Sequence, residues 1–214
     1  MKISYAVSVC DEYVEIQKLL SFLLLNKRDE DEIVVQQDMG KGKVLAPFGD
    51  RLKVFEYLTS LEEEGYIRKV SFRLNDNFAD FKNNLNQKCT GEYIFQLDAD
   101  EIPDINLLNS LPQILEVNKV DVMLVPRVNT VDGLTKSHIT KWRWSVNGEG
   151  WVNYPDYQWR VYRNESSIVW ENKVHEVIKG FKTYLKLPAS VNYSIHHPKT
   201  IDKQEAQNNY YDTL

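Results

Sequence analysis

Residues 93–103 read YIFQLDADEIP. An apolar run over 93–97 ends in acid, Asp98, Ala99, Asp100 and Glu101, before Ile102 and Pro103. A short apolar run bounded by turn signals predicts a buried central strand of a parallel sheet. Acids at the carboxyl end of such a strand sit where open α/β sheets bind ligands. Asp98 and Asp100 are two apart, so an extended backbone puts them on one face. Two carboxylates on one face suit a hard divalent cation, which takes oxygen ligands and shares them with phosphate. The plainer reading is an acidic turn that caps a helix near Asn106.

The segments before this stretch support a parallel sheet. Residues 3–10 predict a strand, and Asp11 is placed to cap a helix. In that helix Ile16, Leu19, Leu20, Leu23 and Leu24 recur at i, i+3, i+4, i+7 and i+8, an apolar face. Residues 33–35 predict a second strand ending at Gln36, Gln37 and Asp38, then a loop with Gly40, Gly42, Pro47 and Gly49. Asp50 caps a helix to about Glu64, with Val54, Leu58 and Leu61 inward and Gly65 as its stop. A strand over 67–72 and a helix over 78–89, closed by Gly91, lead into the acidic stretch. Such alternation means βαβ units with right-handed crossovers. A helix over 106–118 and a buried strand over 120–126 follow.

The character then changes. All five Trp lie between 142 and 170, and all four His lie from 138 onward. WRWSV, YQWRVYR, SSIVW and VHEVI predict short, partly antiparallel strands joined by long loops. Gly148 and Gly150, between Trp144 and Trp151, suggest a flexible lid. Trp159 and Trp170 suit either core packing or stacking on sugar rings. Residues 200–214 are polar with a helical pattern. The expected organisation is one domain in two halves, an α/β half over 1–127 and an aromatic half over 128–214.

The totals agree with one globular domain: 214 residues, 43% hydrophobic and 27% charged. A net charge of −5 without a basic run argues against nucleic-acid binding, which needs Lys and Arg on phosphates. Cys10 and Cys89 are expected to be reduced core thiols in a reducing compartment. The opening MKISYAVSVCDE has the pattern of a strand, not of a signal peptide. The apolar stretch 19–25 is too short to span a bilayer. A cytoplasmic protein without a transmembrane segment is expected, and the aromatic half leaves peripheral membrane contact open as an alternative.

These residues resemble glycosyltransferase family 2, inverting enzymes with the GT-A fold, and its subgroup of lipopolysaccharide-core and capsule enzymes. Four marks carry the resemblance, in order along most of the chain. Asp11-Glu12 after the first strand is similar to the family's Asn-Glu. Gln37-Asp38 resembles its acidic pair. FADFKNNLNQKCTGEYIFQLDADE, 78–101, is similar to its helix with Arg-Asn, then Thr-Gly-Asp/Glu, then the strand and Asp-x-Asp. PDYQWRVYRN and IVWENKVHEVI, 155–164 and 168–178, resemble an Asp-x-Gln-x-Arg strand and a Trp-x-x-x-Val-His-Glu strand. Two positions depart from the pattern. Gln37 replaces the first acid of the pair, and Lys82 replaces Arg before Asn83, a point charge in place of a planar fork.

The resemblance implies a Rossmann-like, mostly parallel sheet flanked by helices, with a nucleotide-sugar-binding first half and a smaller, partly antiparallel acceptor side. It implies a sugar transfer from a nucleotide-sugar, with a UDP-sugar favoured, to a hydroxyl of a glycan or lipid-linked glycan. Mn²⁺ or Mg²⁺ would neutralise the diphosphate leaving group. Asp100 is the expected direct ligand, with Asp98 meeting the ribose or the ion through water. His175, His196 or His197 could complete the shell, and His175 is the choice made here. Glu12, Asp38, Lys82, Asp98 and Arg160 are the expected donor contacts, with a structural ion pair the alternative for Arg160 and Arg163. Inversion needs a carboxylate that takes the acceptor's proton. Glu176 is favoured and Asp156 is the alternative; in a β-like run His175 and Glu176 point to opposite faces. Two other readings compete. A sugar-phosphate nucleotidyltransferase needs a Gly-rich basic loop where this chain has Cys10, Asp11 and Glu12. A non-catalytic glycan-binding module would keep the aromatics and need neither Asp98 nor Asp100.

Overall fold

Strand and helix alternate through the first half as the periodicity predicts. A computed structural model describes residues 1–40 and 50–211, the last two by backbone alone. Gly42, Pro47 and Gly49 of the expected glycine-rich loop lie outside the described residues. The first half runs β1 (Ile3–Val9), α1 (Tyr13–Asn26), β2 (Glu32–Asp38), α2 (Arg51–Glu63), β3 (Arg68–Phe72), α3 (Phe78–Asn86), β4 (Tyr93–Asp98), β5 (Ile102–Pro103) and α4 (Ile105–Asn118). The second runs β6 (Val122–Asp132), α5 (Lys136–Trp142), β7 (Val152–Arg163), β8 (Val169–Glu171), β9 (Val177–Lys179), β10 (Tyr184–Lys186), β11 (Ile195–Thr200) and α6 (Ile201–Tyr211).

Both halves build one nine-stranded sheet, in the order β3-β2-β1-β4-β7-β6-β11-β5, with β10 also on β6. β1 to β4 are parallel, and β7 enters antiparallel between β4 and β6. β8 and β9 form a separate antiparallel pair. The period-2 alternation of the strands fills two cores. Ile3, Tyr5, Val7, Phe95, Leu97, Met123 and Val161 face the helices α1, α2 and α4. Ala6, Ile94, Val122 and Tyr162 face α3 and the β8–β9 pair, and Trp170 is buried there. The apolar face of α1 is as expected, with Ile16, Leu19, Leu20 and Leu23 buried.

Local chemistry sets the boundaries. Asp50 accepts Lys53 N at 3.0 Å and caps α2, while Gly65 takes φ +79° beyond its end. Asp104, not the 98–101 acids, caps α4 by accepting Asn106 N at 2.8 Å. Asp11 does not cap α1: Glu12 holds the N-cap position and makes no side-chain cap bond to the helix. The strand predicted over 120–126 continues through Pro126 to Asp132. On one edge β10 covers Val122 to Leu124 and β11 covers Arg127 to Asp132, so Pro126 falls in the gap between them. WRWSV is not a strand: α5 ends at Trp142, and only Val146 makes an isolated bridge, to Val152. The Gly148–Gly150 segment is a tight turn, in which Asn147 accepts Trp151 N at 2.8 Å and Glu149 N at 3.2 Å.

Gly91 shows why the Thr-Gly before β4 matters. Its N–H donates to Ser4 Oγ at 2.8 Å, and a Cβ there would meet Ser4 N and Oγ at 2.7 Å. β1 and the start of β4 can approach only without that carbon. Gly91→Ala is therefore expected to cost about 1–3 kcal/mol of stability, as overpacking does. Urea unfolding of the two proteins checks this, and an unchanged midpoint would refute it.

Candidate functional site

A cavity of about 780 Å³ opens at the carboxyl ends of β1, β2 and β4. Its walls are the outer parts of β6, β7 and β11, one face of α3, and the 172–176 loop between β8 and β9. This is where an open parallel sheet places its ligands. Asp98 is the last residue of β4, and Asp100 lies in the turn that follows, so the backbone is not extended through both. The turn is closed by Glu101 N to Asp98 O at 2.9 Å and tied to β1 by Ala99 N to Ser8 O at 2.9 Å. Both carboxylates nonetheless line the cavity.

Below them lies Glu101, with no exposed surface. Its carboxylate accepts Asp98 N at 3.1 Å, Arg160 Nη2 at 2.5 Å and Arg127 Nη1 at 2.9 Å. Arg160 also donates to Asp98 Oδ2 at 2.7 Å. Arg160, expected as a donor contact or a structural ion pair, borders the cavity and is buried in pairs with two carboxylates; Arg163 pairs with Asp121 at 3.4 Å. Arg127 reaches on to Asp156 Oδ2 through Nη2 at 2.7 Å and Nε at 3.0 Å. Asp156 takes two more donors, Asn129 Nδ2 at 2.9 Å and Gln158 Nε2 at 2.7 Å. Burial works to raise its pKa, but Arg127 and these amides outweigh it and hold Asp156 below the usual carboxylate range.

The chain of contacts returns to Asp100. Because Asn129 Nδ2 donates to Asp156, its Oδ1 faces His197 Nδ1 at 2.7 Å and takes the proton there. That leaves His197 Nε2 facing Asp100 Oδ2 at 3.3 Å. Lys199 Nζ lies 3.7 Å from the same oxygen. Burial opposes the charge on Asp100, but His197, Lys199 and Arg127 outweigh burial and hold its pKa well below the ordinary value. Arg160 and then Lys82 do the same for Asp98.

His197, not His175, is the imidazole against Asp100. His175 is exposed at the cavity rim with φ +53°, and His196 pairs with Asp104 at 3.6 Å. The left-handed His175 bends the chain, so 172–176 is a loop and not the strand expected, and both His175 and Glu176 line the cavity. Glu176 Oε1 meets Lys82 Nζ at 2.5 Å. Lys82 rises from the buried face of α3 with its ammonium 4.4 Å from the Trp170 ring centre.

On the β1 and β2 side, Glu12 Oε2 accepts Cys10 N at 2.8 Å and Asp11 N at 3.1 Å, closing the turn above β1. Burial pushes its carboxyl up to about 7; the Cys10 N–H pulls against this, and the Asp100 charge adds to it. Asp38 Oδ1 accepts Gly40 N at 2.7 Å and Leu74 N at 2.9 Å, and Arg51 Nη2 is 3.7 Å from its other oxygen. Gln37 is fully buried and donates to Arg51 O and Cys10 O, a structural role. Cys10 is not a core thiol: it lines the cavity beside Arg51, while Cys89 is buried as expected. Trp170 is buried in the core and also borders the cavity, Trp159 packs against the same core and lines the cavity, and Trp144 lines it as well.

Several site residues escaped the sequence reading: Glu101, Arg127, Asn129, Lys199 and Arg51. A signal for three existed. Arg127 with Asn129, and His197 with Lys199, each stand two apart on strands, so each pair shares a face. The parallel register Ile195↔Arg127 and His197↔Asn129 sets those faces side by side.

The fold is GT-A-like. Solved structures of S. aureus TarS share it. One is 13% identical with a TM-score of 0.61 and covers 92% of this chain and 37% of that one. TarS 1–349 in complex with UDP-GlcNAc is 14% identical, TM-score 0.59, over 93% of this chain and 59% of that one. TarS 1–349 in complex with UDP is 13% identical, TM-score 0.62, over 96% and 63%. The chain thus spans less than two thirds of the length of these TarS chains, and at such identity the likeness is one of fold. No protein-family model and no curated protein matches the sequence. No helix among the described residues is long and apolar enough to cross a membrane.

Two outcomes follow from the electrostatics. Glu101→Ala leaves Arg127 and Arg160 facing each other beneath the cavity, and is expected to cost about 3–5 kcal/mol, the scale for one partner of a buried pair. A loss under 1 kcal/mol in urea unfolding would contradict that arrangement. Glu12 has a folded pKa raised from 4.5 to about 7, so ionising it penalises the folded state. The penalty is absent below about pH 4.5, grows as pH rises to 7, and is constant above, reaching up to about 3 kcal/mol. Glu12→Gln should therefore gain in melting temperature over the wild type across that window. Parallel pH curves would refute it.

Proposed function

We propose that this chain is a metal-dependent inverting glycosyltransferase of the family 2 type. It moves a sugar from a nucleotide-sugar, with a UDP-sugar favoured, to a hydroxyl of a glycan or lipid-linked glycan. One observation carries the reading: Asp98 and Asp100, at and just beyond the end of β4, line the same cavity as a carboxylate from the 172–176 loop, Glu176. The likeness in fold to TarS, a glycosyltransferase solved with UDP and with UDP-GlcNAc, supports it.

The donor set suits Mg²⁺ or Mn²⁺. Among the described residues no three His, Cys, Asp or Glu side chains converge as a cage. Such ions are held by one or two carboxylates, the substrate phosphates and water. Asp100 is the first ligand proposed, with His197 beside it in place of His175, and Asp98 reaching the ion through water. When bound, the ion offsets the negative charge that grows on the departing diphosphate.

The chain's own groups do the rest. Lys82 brings a positive charge to the donor, and Glu12 and Asp38 border the region for ribose and base. Trp144 and Trp159 offer apolar faces to the acceptor. Glu176 takes the proton of the acceptor hydroxyl as its oxygen bonds to the anomeric carbon. The bond from that carbon to the diphosphate oxygen breaks, and the nucleoside diphosphate leaves with the electron pair. Asp156, already bound by Arg127, Asn129 and Gln158, positions the wall and is the poorer proton acceptor.

The test is thermal unfolding with UDP, GDP and dTDP, each with and without Mn²⁺, on the wild type and Asp100→Ala. A ligand at about 100 times its dissociation constant adds roughly 2.7 kcal/mol. At about 2–4 °C per kcal/mol for a chain of this size, the midpoint should rise by roughly 5–10 °C. A Mn²⁺-dependent rise with UDP, lost in Asp100→Ala, is expected. No rise with any nucleotide would sink the donor site and favour a glycan-binding module.

A further inference from the structure

Lys82 and Glu176 form a direct ion pair in the cavity lining. The Nζ–Oε1 distance is 2.5 Å, and both side chains line the same space. The pair joins two different elements, since Lys82 stands on α3 and Glu176 ends the 172–176 loop. No other hydrogen-bond or ion-pair partner is seen for Glu176 among the described residues, in contrast to Asp98, Asp100, Asp156 and Glu101. The ammonium rests against the Trp170 face, a surface that holds a cation without a counter-charge of its own. Lys82 lines the same cavity as Asp98 and Asp100, so its charge stands in the space where the donor's phosphates would rest.

We propose that Lys82 is a positioning residue that couples donor binding to the base: the donor's diphosphate takes Lys82 from Glu176 and so frees that carboxylate for the acceptor's proton. This rests on the functional reading above and adds a condition to it. Without a nucleotide, the ammonium holds one oxygen of Glu176 and ties the loop to α3. A diphosphate is a stronger anion than one carboxylate, and Lys is a compact point charge on a flexible stem, able to move from one to the other. An Arg in a bidentate fork would be harder to draw away, so the Lys at this position, where the family usually has Arg, suits an exchange. The freed loop, with left-handed backbone at Asn172 and His175, can then settle on the acceptor.

The exchange predicts a sign that simple positioning does not. If UDP competes with Glu176 for Lys82, removing the competitor strengthens UDP binding. Isothermal titration of UDP in the presence of Mn²⁺ tests this on four proteins: wild type, Glu176→Gln, Lys82→Met and the double variant. Glu176→Gln is expected to tighten UDP binding about three- to tenfold, the scale of a part-buried ion pair. In the Lys82→Met background the same change should have an effect at least about threefold smaller, because only direct repulsion between Glu176 and the phosphates is left to relieve. Lys82→Arg keeps the charge and should restore the larger effect, which also covers the case in which Lys82→Met folds poorly. Unchanged or weaker binding in Glu176→Gln overturns the exchange. So does an effect as large without Lys82 as with it, which is what a Lys82 that merely screens Glu176 would give. If UDP, GDP and dTDP all fail to bind the wild type, the donor-site reading itself falls, and the inference with it.

Discussion

A fully buried carboxylate, Glu101, sits between two guanidinium groups, Arg127 and Arg160, and the candidate site is built on that contact. Three charges removed from water are costly to bury, and their attraction offsets the cost only when hydrogen bonds are complete. Here they nearly are. Glu101 also takes the Asp98 N–H, Arg160 also takes the Asp98 carboxylate, and Arg127 also takes Asp156. The contact therefore fixes the backbone of the Asp98–Glu101 turn from below and the walls of β6 and β7 from the side. Through Asn129 and His197 the same order reaches Asp100. The two aspartates are joined through the protein by a chain of side chains and not only by the one residue between them.

The consequence is a strong asymmetry of charge among neighbouring acids. Asp98 and Asp100 lie beside Arg160, Lys82, His197 and Lys199, which hold them ionised. Glu12, against the same cavity, has only backbone N–H groups to set against burial and the Asp100 charge, and its carboxyl rises to about 7. Environments that push neighbouring carboxyls apart in this way let one stay an anion while another carries a proton. A cation arriving at Asp100 would remove the charge that helps keep Glu12 protonated, so the two are linked.

The strands, the helices and the acidic turn were legible because their signals are local. The alternation of Ile3, Tyr5 and Val7 against Ala6 and the i, i+3, i+4 face of α1 depend on nearby residues alone. Asp98 and Asp100 stood out because a strand ran into them. What stayed hidden depends on partners far away in the chain. Glu101 looks like one more acid in DADE until Arg127 and Arg160, 26 and 59 residues on, close over it. For Arg160 the sequence left a donor contact and a structural ion pair side by side, because its two carboxylates could not be seen. His175 and Glu176 sat in a run that favours a strand, yet a left-handed residue bends it, and the bend turns both toward the cavity. The insertion of β7 between β4 and β6 is equally non-local, since it depends on which edge remains free after the first four strands have paired.

Within the one cavity two kinds of ion pair then stand side by side. Arg160 is only 3% exposed and is claimed by two carboxylates, so leaving either would strand a buried charge. It can hold Asp98 in place but cannot follow a ligand. Lys82 has one carboxylate partner, and that partner is on a loop rather than a strand. Breaking this pair exposes no third group, provided another anion takes the ammonium. The fixed pairs thus define where the two aspartates stand, and the Lys82–Glu176 pair is the one that, on our proposal, answers to an arriving diphosphate. Had Arg stood at position 82, with two further donors to satisfy, the difference between the two kinds of pair would narrow. The Lys is therefore better understood as the feature that separates holding from responding than as a weakened copy of an Arg.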